Sequence, residues 1–400
     1  MDIKQLLGQI LPLGSDWEIT QVTLIEDINR IEISISYKHN YYESGGVRYK
    51  IYDELPEREW QHLSWFQYQC FIKSRTPRFV NKEGKAQIIP IPWADTRKGY
   101  TNLFAQHVIA LLQLVQVQSK VALICSTTEY IVRNIMEDAV NKSLDKRGCV
   151  TNLERISIDE KAFTKGHEYA SILIDSKEGK VVELTEGRKS ENVKAMMFAL
   201  TNEEVLPQIE MVNLDMWEAY MTSMKTIAPN AVQVHDKFHL VSKLSDAINA
   251  TRKQEVRTEP LLKKARFSVL KNAENRTIKQ QEQFDSINEA NLLTAQAWRV
   301  RENFKAIFDQ TDELDIIEIY DRWVVDAIKT GIKPVIDVLK TFERHLEGIF
   351  NAIKLKTTSA QHERINGNIQ SLIGKARGFL NFDRFRINVM FYFAKLDFSH

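Results

Sequence analysis

The stretch RISID, residues 155–159, alternates polar and apolar side chains and ends on an acid. Alternation with a period of two is typical of a β-strand with one buried face. A second apolar run with an acidic end, IEMVNLD, spans residues 209–215. Active sites of α/β sheets gather at the ends of strands. Asp159 and Asp215 are therefore the first candidate site residues.

The residues around these two runs predict a mixed sheet with helical crossovers. Directly after the first run, SILIDSKEGKVVEL (171–184) indicates an antiparallel hairpin with SKEG as its turn. Helices and strands then alternate: a helix at 190–200, the strand at 209–215, a helix at 216–227 and a strand at 232–236. This order predicts an α/β fold in which both acids end strands of one sheet.

Two modules precede the predicted sheet. Residues 1–100 contain alternating runs such as RIEISISY (30–37) and predict a small β-rich module. Residues 101–150 predict three helices, the last of which follows the cap-like sequence STTE (126–129) and carries Arg133. Two short helices before a third with a polar start are typical of a helix-turn-helix, whose last helix contacts base edges. A three-helix packing module without DNA contacts explains the same pattern.

Composition excludes some classes of protein. The 400 residues are 44% hydrophobic and carry a net charge of +1, which is typical of a globular protein and gives no overall attraction to polyanions. Three cysteines without a CxxC pair argue against a disulfide framework and against a four-ligand zinc site. The N-terminus has no secretory signal and no run approaches the length of a membrane span, so we expect a cytoplasmic protein without membrane association.

A third acid, Glu363, opens a basic helical stretch far along the chain. Mg²⁺ prefers hard oxygen ligands, so carboxylates and substrate phosphates form its usual site in proteins. Two such ions, roughly 3.5–4 Å apart, activate the attacking oxygen and stabilise the leaving oxygen of a phosphodiester. If Asp159, Asp215 and Glu363 converge, they form a two-metal site for cutting and joining nucleic acid. Each acid taken alone is more often a solvated surface residue.

Three successive segments resemble the motifs of the DDE transposases of bacterial insertion sequences, in particular the group written ISL3. They are DEKAFTKGHEY (159–169), DMWEAY (215–220) and DKFH (236–239). Further segments fit the same group: EWQHL (59–63), RTPR (75–78), PWA (92–94), SAQHERIN (359–366), ARGF (376–379) and NFDRFR (381–386). The order and spacing of these motifs extend the resemblance over nearly the whole chain.

The resemblance implies an RNase H-like fold, a mixed sheet with flanking helices. Residues 151–240 would form its first part and residues 356–400 its C-terminal part with the third acid. An all-helical insertion, residues 241–355, would separate the two parts. The β-rich module and the helix-turn-helix would precede this core.

The resemblance also implies the chemistry. Asp159, Asp215 and Glu363 would be the catalytic and metal-binding acids for two Mg²⁺ ions, which Mn²⁺ can replace. Asp159 would bridge both ions, with Asp215 holding one and Glu363 the other. The reaction would be cleavage at the ends of an insertion sequence, followed by attack of the exposed 3′-hydroxyl on target DNA. Joining both ends together requires at least a dimer on DNA.

Asp236 and His239 lie at the start of the helix that follows the last predicted strand. A metal-binding role is open to both, but an acid at a helix start is more often a cap. We therefore predict that Asp236 and His239 support the core.

The N-terminal module departs from the resemblance. Members of the ISL3 group usually carry a zinc ribbon there, but the corresponding stretches, 41–44 and 81–84, contain no cysteine, and Cys70 with His62 cannot complete four ligands. We therefore expect no structural zinc. Apolar contacts are predicted to hold the module together instead, among them those of Trp60, Trp65, Phe66 and Tyr68.

Basic side chains near Glu363 are the candidate DNA surface of the core, because phosphates across the metal site need neutralisation. They are Arg364, Lys375, Arg377, Arg384 and Arg386, in addition to Arg133 of the third helix. Two alternatives to a transposase stay open at this point. One is a nuclease of the same fold that cuts without joining, and the other is a transposase-derived DNA-binding protein with an inactive core.

Overall fold

The computed structural model describes residues 3–164, 168–201, 205–309, 313–355 and 360–399, without the side chains of 313–315 and 360–362. The chain divides into two compact units. The first comprises residues 1–145 together with 397–400, and the second comprises residues 146–396.

The first unit contains two four-stranded sheets, ordered β1-β2-β6-β5 and β3-β4-β7-β8. Its elements are α1 (Ile3–Ile10), β1 (Trp17–Ile25), β2 (Arg30–Tyr37), β3 (Tyr41–Ser44), β4 (Val47–Glu54), β5 (Arg58–Trp65), β6 (Tyr68–Ser74), β7 (Pro77–Val80), β8 (Ala86–Ile88), α2 (Asn102–Val115), α3 (Gln118–Ile124) and α4 (Glu129–Arg147). Trp60 is fully buried in the core of these sheets, and Trp65 and Tyr68 pack against that core. The β-rich character predicted for this part of the chain is thus confirmed.

Phe66 does not belong to that core, contrary to the prediction. The side chain is 96% exposed. Phe66 lies in the turn between β5 and β6 with a φ of 53°, in the left-handed region that a tight hairpin needs. The turn therefore directs this ring into solvent, and alternation along a strand could not predict that.

Helices α2, α3 and α4 follow one another closely in the first unit. The Thr128 hydroxyl accepts the backbone N–H of Ile131 at 3.2 Å and so caps the start of α4. Arg133 is half-buried in the next turn, with its guanidinium 5.3 Å from the centre of the Tyr130 ring. The described geometry agrees with three helices at these positions, and the helix-turn-helix assignment stays a prediction.

The second unit is built on a five-stranded mixed sheet ordered β11-β10-β9-β12-β13. Its elements are β9 (Arg155–Ala162), β10 (Tyr169–Asp175), β11 (Lys180–Glu186), α5 (Ser190–Leu200), β12 (Met211–Leu214), α6 (Glu218–Ile227), β13 (Val232–His235), α7 (Lys237–Glu255), α8 (Arg266–Leu270), α9 (Ile278–Glu289), α10 (Leu293–Ile307), α11 (Glu313–Lys329), α12 (Lys333–Glu343), α13 (Leu346–Leu355), α14 (Ala360–Ala376) and α15 (Phe382–Phe393). Strand β10 is antiparallel to β9 and β11, whereas β12 is parallel to β9 and β13.

Strand β9 is buried on both faces, although its alternating sequence predicted one solvent face. Residues 156–159 are all buried. Ile156 and Ile158 enter a core shared with α5 and α6. On the opposite face Ser157 pairs with Ser176 at 2.6 Å, which satisfies a polar group that the fold removes from water. The elements that pack against both faces of the sheet therefore decide the burial of this strand.

Helices α7 to α13 share one hydrophobic core, which extends from Leu240 to Ile353. Trp323 is buried in this core and Trp298 packs against it. Both rings therefore serve packing. Within the described ranges no helix is long and apolar enough to cross a membrane.

A close helix-to-strand contact joins these helices to the sheet. Gly348 is buried on α13, and a Cβ added there would lie 2.4 Å from His235 Cδ2 and 2.7 Å from Nε2. Asn351, one turn further on, donates a hydrogen bond from Nδ2 to the Gln233 backbone oxygen at 2.9 Å. Burial lowers the pKa of His235 to about 4, so this ring is neutral in the contact at neutral pH.

We predict that Gly348→Ala destabilises the protein, because the new methyl group overlaps a ring that packed surroundings hold in place. The expected loss in the free energy of unfolding is about 1–3 kcal/mol, measured by urea denaturation. Gly367→Ala on α14 is the matched control, since a Cβ there has no neighbour within 4 Å. The control should leave stability unchanged or raise it by up to about 1 kcal/mol. Equal effects of the two changes would contradict the prediction.

Candidate active site

Three neighbouring parallel strands, β9, β12 and β13, bring an acid to the same level of the sheet. Asp215 and Asp236 follow β12 and β13, whereas Asp159 lies inside β9, which continues to Ala162 because it pairs with β10 beyond this point. The prediction that both acids end strands is therefore wrong for Asp159.

Leu214 of β12 pairs with Ile158 of β9 on one side and with His235 of β13 on the other. The residues that follow these three partners are Asp215, Asp159 and Asp236. Because parallel neighbours advance together, the three acids form a row across the sheet. The alternating strands alone could not establish this register.

Asp159 is the most buried acid of the predicted triple, with 3% of its surface exposed. Its Oδ1 accepts the backbone N–H of Glu160 at 2.8 Å. Its Oδ2 lies 2.9 Å from Nζ of Lys161. The ion pair offsets the cost of placing a carboxylate in the interior. Lys161 was not singled out in the sequence, although residues two apart in a strand share a face.

Asp215 lies immediately beyond β12 and is more accessible, with a side-chain exposure of 28%. Its Oδ1 accepts the backbone N–H of Met216 at 2.6 Å. In both aspartates, therefore, one carboxylate oxygen is bonded to the backbone of the next residue. This arrangement restrains the orientation of both carboxylates.

The ring of His239 lies between the two aspartates. Its Nε2 is 3.8 Å from Asp159 Oδ1, and its Nδ1 is 3.7 Å from Asp215 Oδ2. Both distances exceed hydrogen-bond length, so the ring is a close polar neighbour of the two carboxylates. Asp236 accepts the backbone N–H of Phe238 at 2.8 Å and is the N-cap of α7, which carries His239. Asp236 thereby holds the start of the helix that places the ring.

Glu363 is the third acid of the predicted site. It is exposed and lies in the first turn of α14. In the ranges that the structure describes, no three side chains of His, Cys, Asp or Glu are grouped as a metal site would require. The structure thus brings together Asp159, Asp215 and His239, and the role of Glu363 stays a prediction. Residues 165–167 and 359 of the quoted motifs lie outside the described residues.

Four of the predicted basic residues are placed at or near the surface. Arg364 and Lys375 are exposed on α14, and Arg377 is exposed just beyond it, whereas Arg384 is half-buried on α15. These positions agree with a DNA-contacting role but do not test it.

Arg386 instead forms an intramolecular ion pair. Its Nε and Nη2 donate to Glu183 Oε1 and Oε2 at 2.7 and 2.6 Å, a bidentate arrangement. Glu183 belongs to β11 and is only 8% exposed. Helix α15 is further attached to the sheet by Phe385, whose ring stacks on Phe163 with centroids 5.3 Å apart. The guanidinium of Arg386 is thus engaged within the protein and is the weakest of the predicted DNA contacts.

Known proteins are similar to this chain over most of its length. The profile of the ISL3-type DDE transposases, described as transposase, matches residues 156–389. The transposase for insertion sequence element IS1557 of Mycobacterium tuberculosis is 24% identical over 354 residues, covering 80% of this chain and 78% of that protein. The transposase for insertion sequence element IS1001 of Bordetella parapertussis is 22% identical over 356 residues, covering 87% of each chain.

The second unit combines an α/β sheet that carries acids on neighbouring strands with a long helical region. The profile match covers more than half of the chain, and the chain belongs to the ISL3 family of DDE transposases. It is thus an enzyme of DNA transposition, as the resemblance in its motifs predicted. DNA is its partner, and divalent metal ions are the cofactors that this family generally uses.

The ion pair between Arg386 and Glu183 yields a prediction about stability. Arg386→Ala should lower the free energy of unfolding by about 3 kcal/mol, because it leaves the buried Glu183 carboxylate without its counter-charge. Arg364→Ala removes an exposed guanidinium and should change stability by less than about 0.5 kcal/mol. Urea denaturation measures both. A variant Arg386→Ala that unfolds like the native protein but binds DNA less tightly would reassign this residue to the DNA surface.

Proposed function

We propose that the protein cleaves DNA at the ends of its insertion sequence and joins the exposed 3′-hydroxyl to target DNA, using Asp159, Asp215 and Glu363 as catalytic acids. The observation that carries this proposal is the parallel register that sets Asp159 beside Asp215 at one edge of the sheet. The family provides the reaction class. Glu363 is included among the proposed catalytic acids because of its motif and its place at the start of α14.

The sheet supports an RNase H-like assignment. Its five strands, numbered from β9, run in the order 3-2-1-4-5, with an antiparallel meander followed by two parallel strands. Residues 151–240 and 356–400 are the proposed core, and residues 241–355 are the proposed insertion. The separate hydrophobic core of α7 to α13 favours this division.

The donor set fits a hard divalent cation. Asp159 and Asp215 offer carboxylate oxygens on adjacent strands, and oxygen ligands are those that Mg²⁺ prefers. Together with Glu363 they would hold two Mg²⁺ ions, with Asp159 shared between the ions and Mn²⁺ able to substitute. When bound, such ions activate the attacking oxygen and stabilise the leaving oxygen.

The protein groups around the acids have separate tasks. Lys161 balances the charge of the buried Asp159 carboxylate. The backbone N–H groups of Glu160 and Met216 restrain the two aspartates. The imidazole ring of His239 lies between the two carboxylates and so sets the distance between them.

The remaining parts of the proposal concern DNA. Residues 101–150 form a helix-turn-helix that recognises the terminal inverted repeats, with Arg133 near the start of its last helix. Arg364, Lys375, Arg377 and Arg384 neutralise phosphates near the third acid. The protein acts as at least a dimer, because both ends of the element take part in one reaction, and it works in the cytoplasm beside the nucleoid.

Replacement of the acids tests the proposed site. Asp159→Asn, Asp215→Asn and Glu363→Gln should each lower cleavage of a terminal-repeat duplex by about 10³-fold or more in Mg²⁺ or Mn²⁺. Each change keeps the size of the side chain and removes its charge, so DNA binding should persist. Asp326→Asn is the control, since this exposed acid of α11 pairs only with Lys329 at 3.0 Å in the described structure. Undiminished cleavage by Asp159→Asn would refute the assignment.

Strand transfer is measured with the same protein. Duplexes that already carry the exposed 3′-hydroxyl are incubated with a supercoiled plasmid, and joined products are expected with the native protein. Cleavage without any joined product would favour a nuclease of the same fold. DNA binding without either reaction would favour a DNA-binding protein with an inactive core.

His239 is predicted to act through the two aspartates. His239→Ala should lower the cleavage rate by about 10- to 100-fold and raise the Mg²⁺ concentration needed for half-maximal rate, because the spacing of the carboxylates is no longer fixed. His239→Gln, which keeps a polar side chain of similar reach, should recover part of the rate. A loss of rate with an unchanged metal requirement would contradict this positioning role.

A further inference from the structure

A guanidinium stacked beside an exposed indole lies next to the proposed catalytic edge. Arg188 has its Cζ 4.5 Å from the ring centre of Tyr169 and 4.7 Å from that of Trp217. The indole Nε1 of Trp217 donates to the Arg188 backbone oxygen at 3.3 Å. The structure describes all tryptophans of the chain, and Trp217 is the most exposed of them, at 40%.

The position of this stack follows from the same strands that carry the acids. Trp217 comes two residues after Asp215 and caps the start of α6. Arg188 follows β11 through Gly187, whose N–H donates to the Tyr169 backbone oxygen at 2.7 Å. Gly187 has a φ of 80°, which only glycine adopts readily. The turn that places Arg188 therefore requires a glycine at this position.

Arg188 has hydrogen-bonding capacity beyond its contacts in the protein. Its Nη1 lies 3.3 and 3.4 Å from the two carboxylate oxygens of Glu160, which is a long and weak contact. Neither Nε nor Nη2 donates to any group among the described residues. The guanidinium lies within 5 Å of both ring centres, and its unused N–H groups match the two oxygens of a phosphate.

From this geometry we propose that Trp217 and Arg188 form a nucleotide-binding subsite for the DNA strand next to the cleaved bond. Trp217 stacks on one base, and Arg188 binds a phosphate of the same strand, with Tyr169 supporting the guanidinium from behind. The proposal rests on the proposed function, since it presumes that DNA crosses the edge that carries Asp159 and Asp215. The subsite extends that edge by one nucleotide and fixes the strand relative to the acids.

A purely structural role is the competing explanation, because the same stack could simply hold the turn after β11 against the start of α6. Such a role predicts loss of stability on substitution and no dependence on any particular nucleotide. A stacking role predicts that the effect of Trp217 depends on the presence of one base. The two explanations therefore separate in an experiment that removes bases one at a time.

The test uses the full-length protein and duplexes of the terminal repeat with its flanking DNA, each carrying one abasic site near the cleaved bond. Affinity is measured by fluorescence anisotropy in EDTA, where no cleavage occurs. At one position the abasic site should weaken binding by the native protein about tenfold, as expected for the loss of one stacked base. Binding by Trp217→Ala should be equally weak with and without that base, and Trp217→Phe should keep part of the dependence.

The controls separate stacking from folding. Phe198→Ala removes another exposed aromatic ring, at 57% exposure, and should keep the native response to every abasic site. If Trp217→Ala does not fold, Trp217→Leu retains an apolar side chain and supports the same comparison. Native-like binding by the Trp217 variants, or the same loss at all abasic positions, would overturn the subsite.

The contribution of Arg188 has its own readout. Removal of one phosphate contact lowers the slope of log affinity against log salt concentration by about 1. Arg188→Gln should show this change, whereas Arg322→Gln, which removes an exposed arginine of α11, should not. An unchanged slope for Arg188→Gln overturns the phosphate contact. Since these measurements report binding in EDTA, they are independent of cleavage, and failure of Asp159→Asn to abolish cleavage would refute the proposed catalytic site alone.

Discussion

The parallel hydrogen-bond register of β9, β12 and β13 is the constraint on which the site depends. One pairing, Leu214 with both Ile158 and His235, fixes the level of the three strands relative to one another. Neighbouring strands lie about 4.8 Å apart, so the acids that follow reach a common edge without any contact of their own. A shift of one residue in β12 would turn Asp215 to the other face of the sheet and separate it from Asp159.

The cores on the two faces of the sheet hold that register in place. Ile156 and Ile158 pack with α5 and α6, which prevents β9 from sliding. On the edge strand β13, α13 approaches so closely that a glycine is needed opposite His235. The long helical region thus packs directly against β13, the strand that precedes Asp236 and α7. The position of His239 between the aspartates follows from this seating and from the cap at Asp236.

Much of this architecture could be predicted from sequence, because local patterns decide it. The hairpin at 171–184, the helix at 190–200 and the strands before Asp159 and Asp215 lie within a few residues of their predicted bounds. Patterns could not show that β9 is covered on both faces, since the covering helices are distant in sequence. The engagement of Arg386 with Glu183 was missed for the same reason: its partner lies 203 residues away. Phe66 was assigned to the core because a turn residue looked like part of a strand. That Glu363 joins the two aspartates stays a prediction from its motif, because three like charges do not draw one another together.

The attachment of α15 to β11 has a consequence for the order in which the protein matures. Glu183 is buried in the hairpin edge of the sheet, yet the guanidinium that binds both of its carboxylate oxygens belongs to Arg386, which the ribosome adds much later. Until then the carboxylate lacks this bidentate partner and must stay hydrated, so this edge of the sheet cannot close fully. The strands that carry Asp159 and Asp215 are complete long before that moment. The ion pair between Glu183 and Arg386 can therefore form only when synthesis has passed the last motif. Before that point, a nascent chain carries Asp159 and Asp215 on a sheet whose β11 edge is not yet covered by α15.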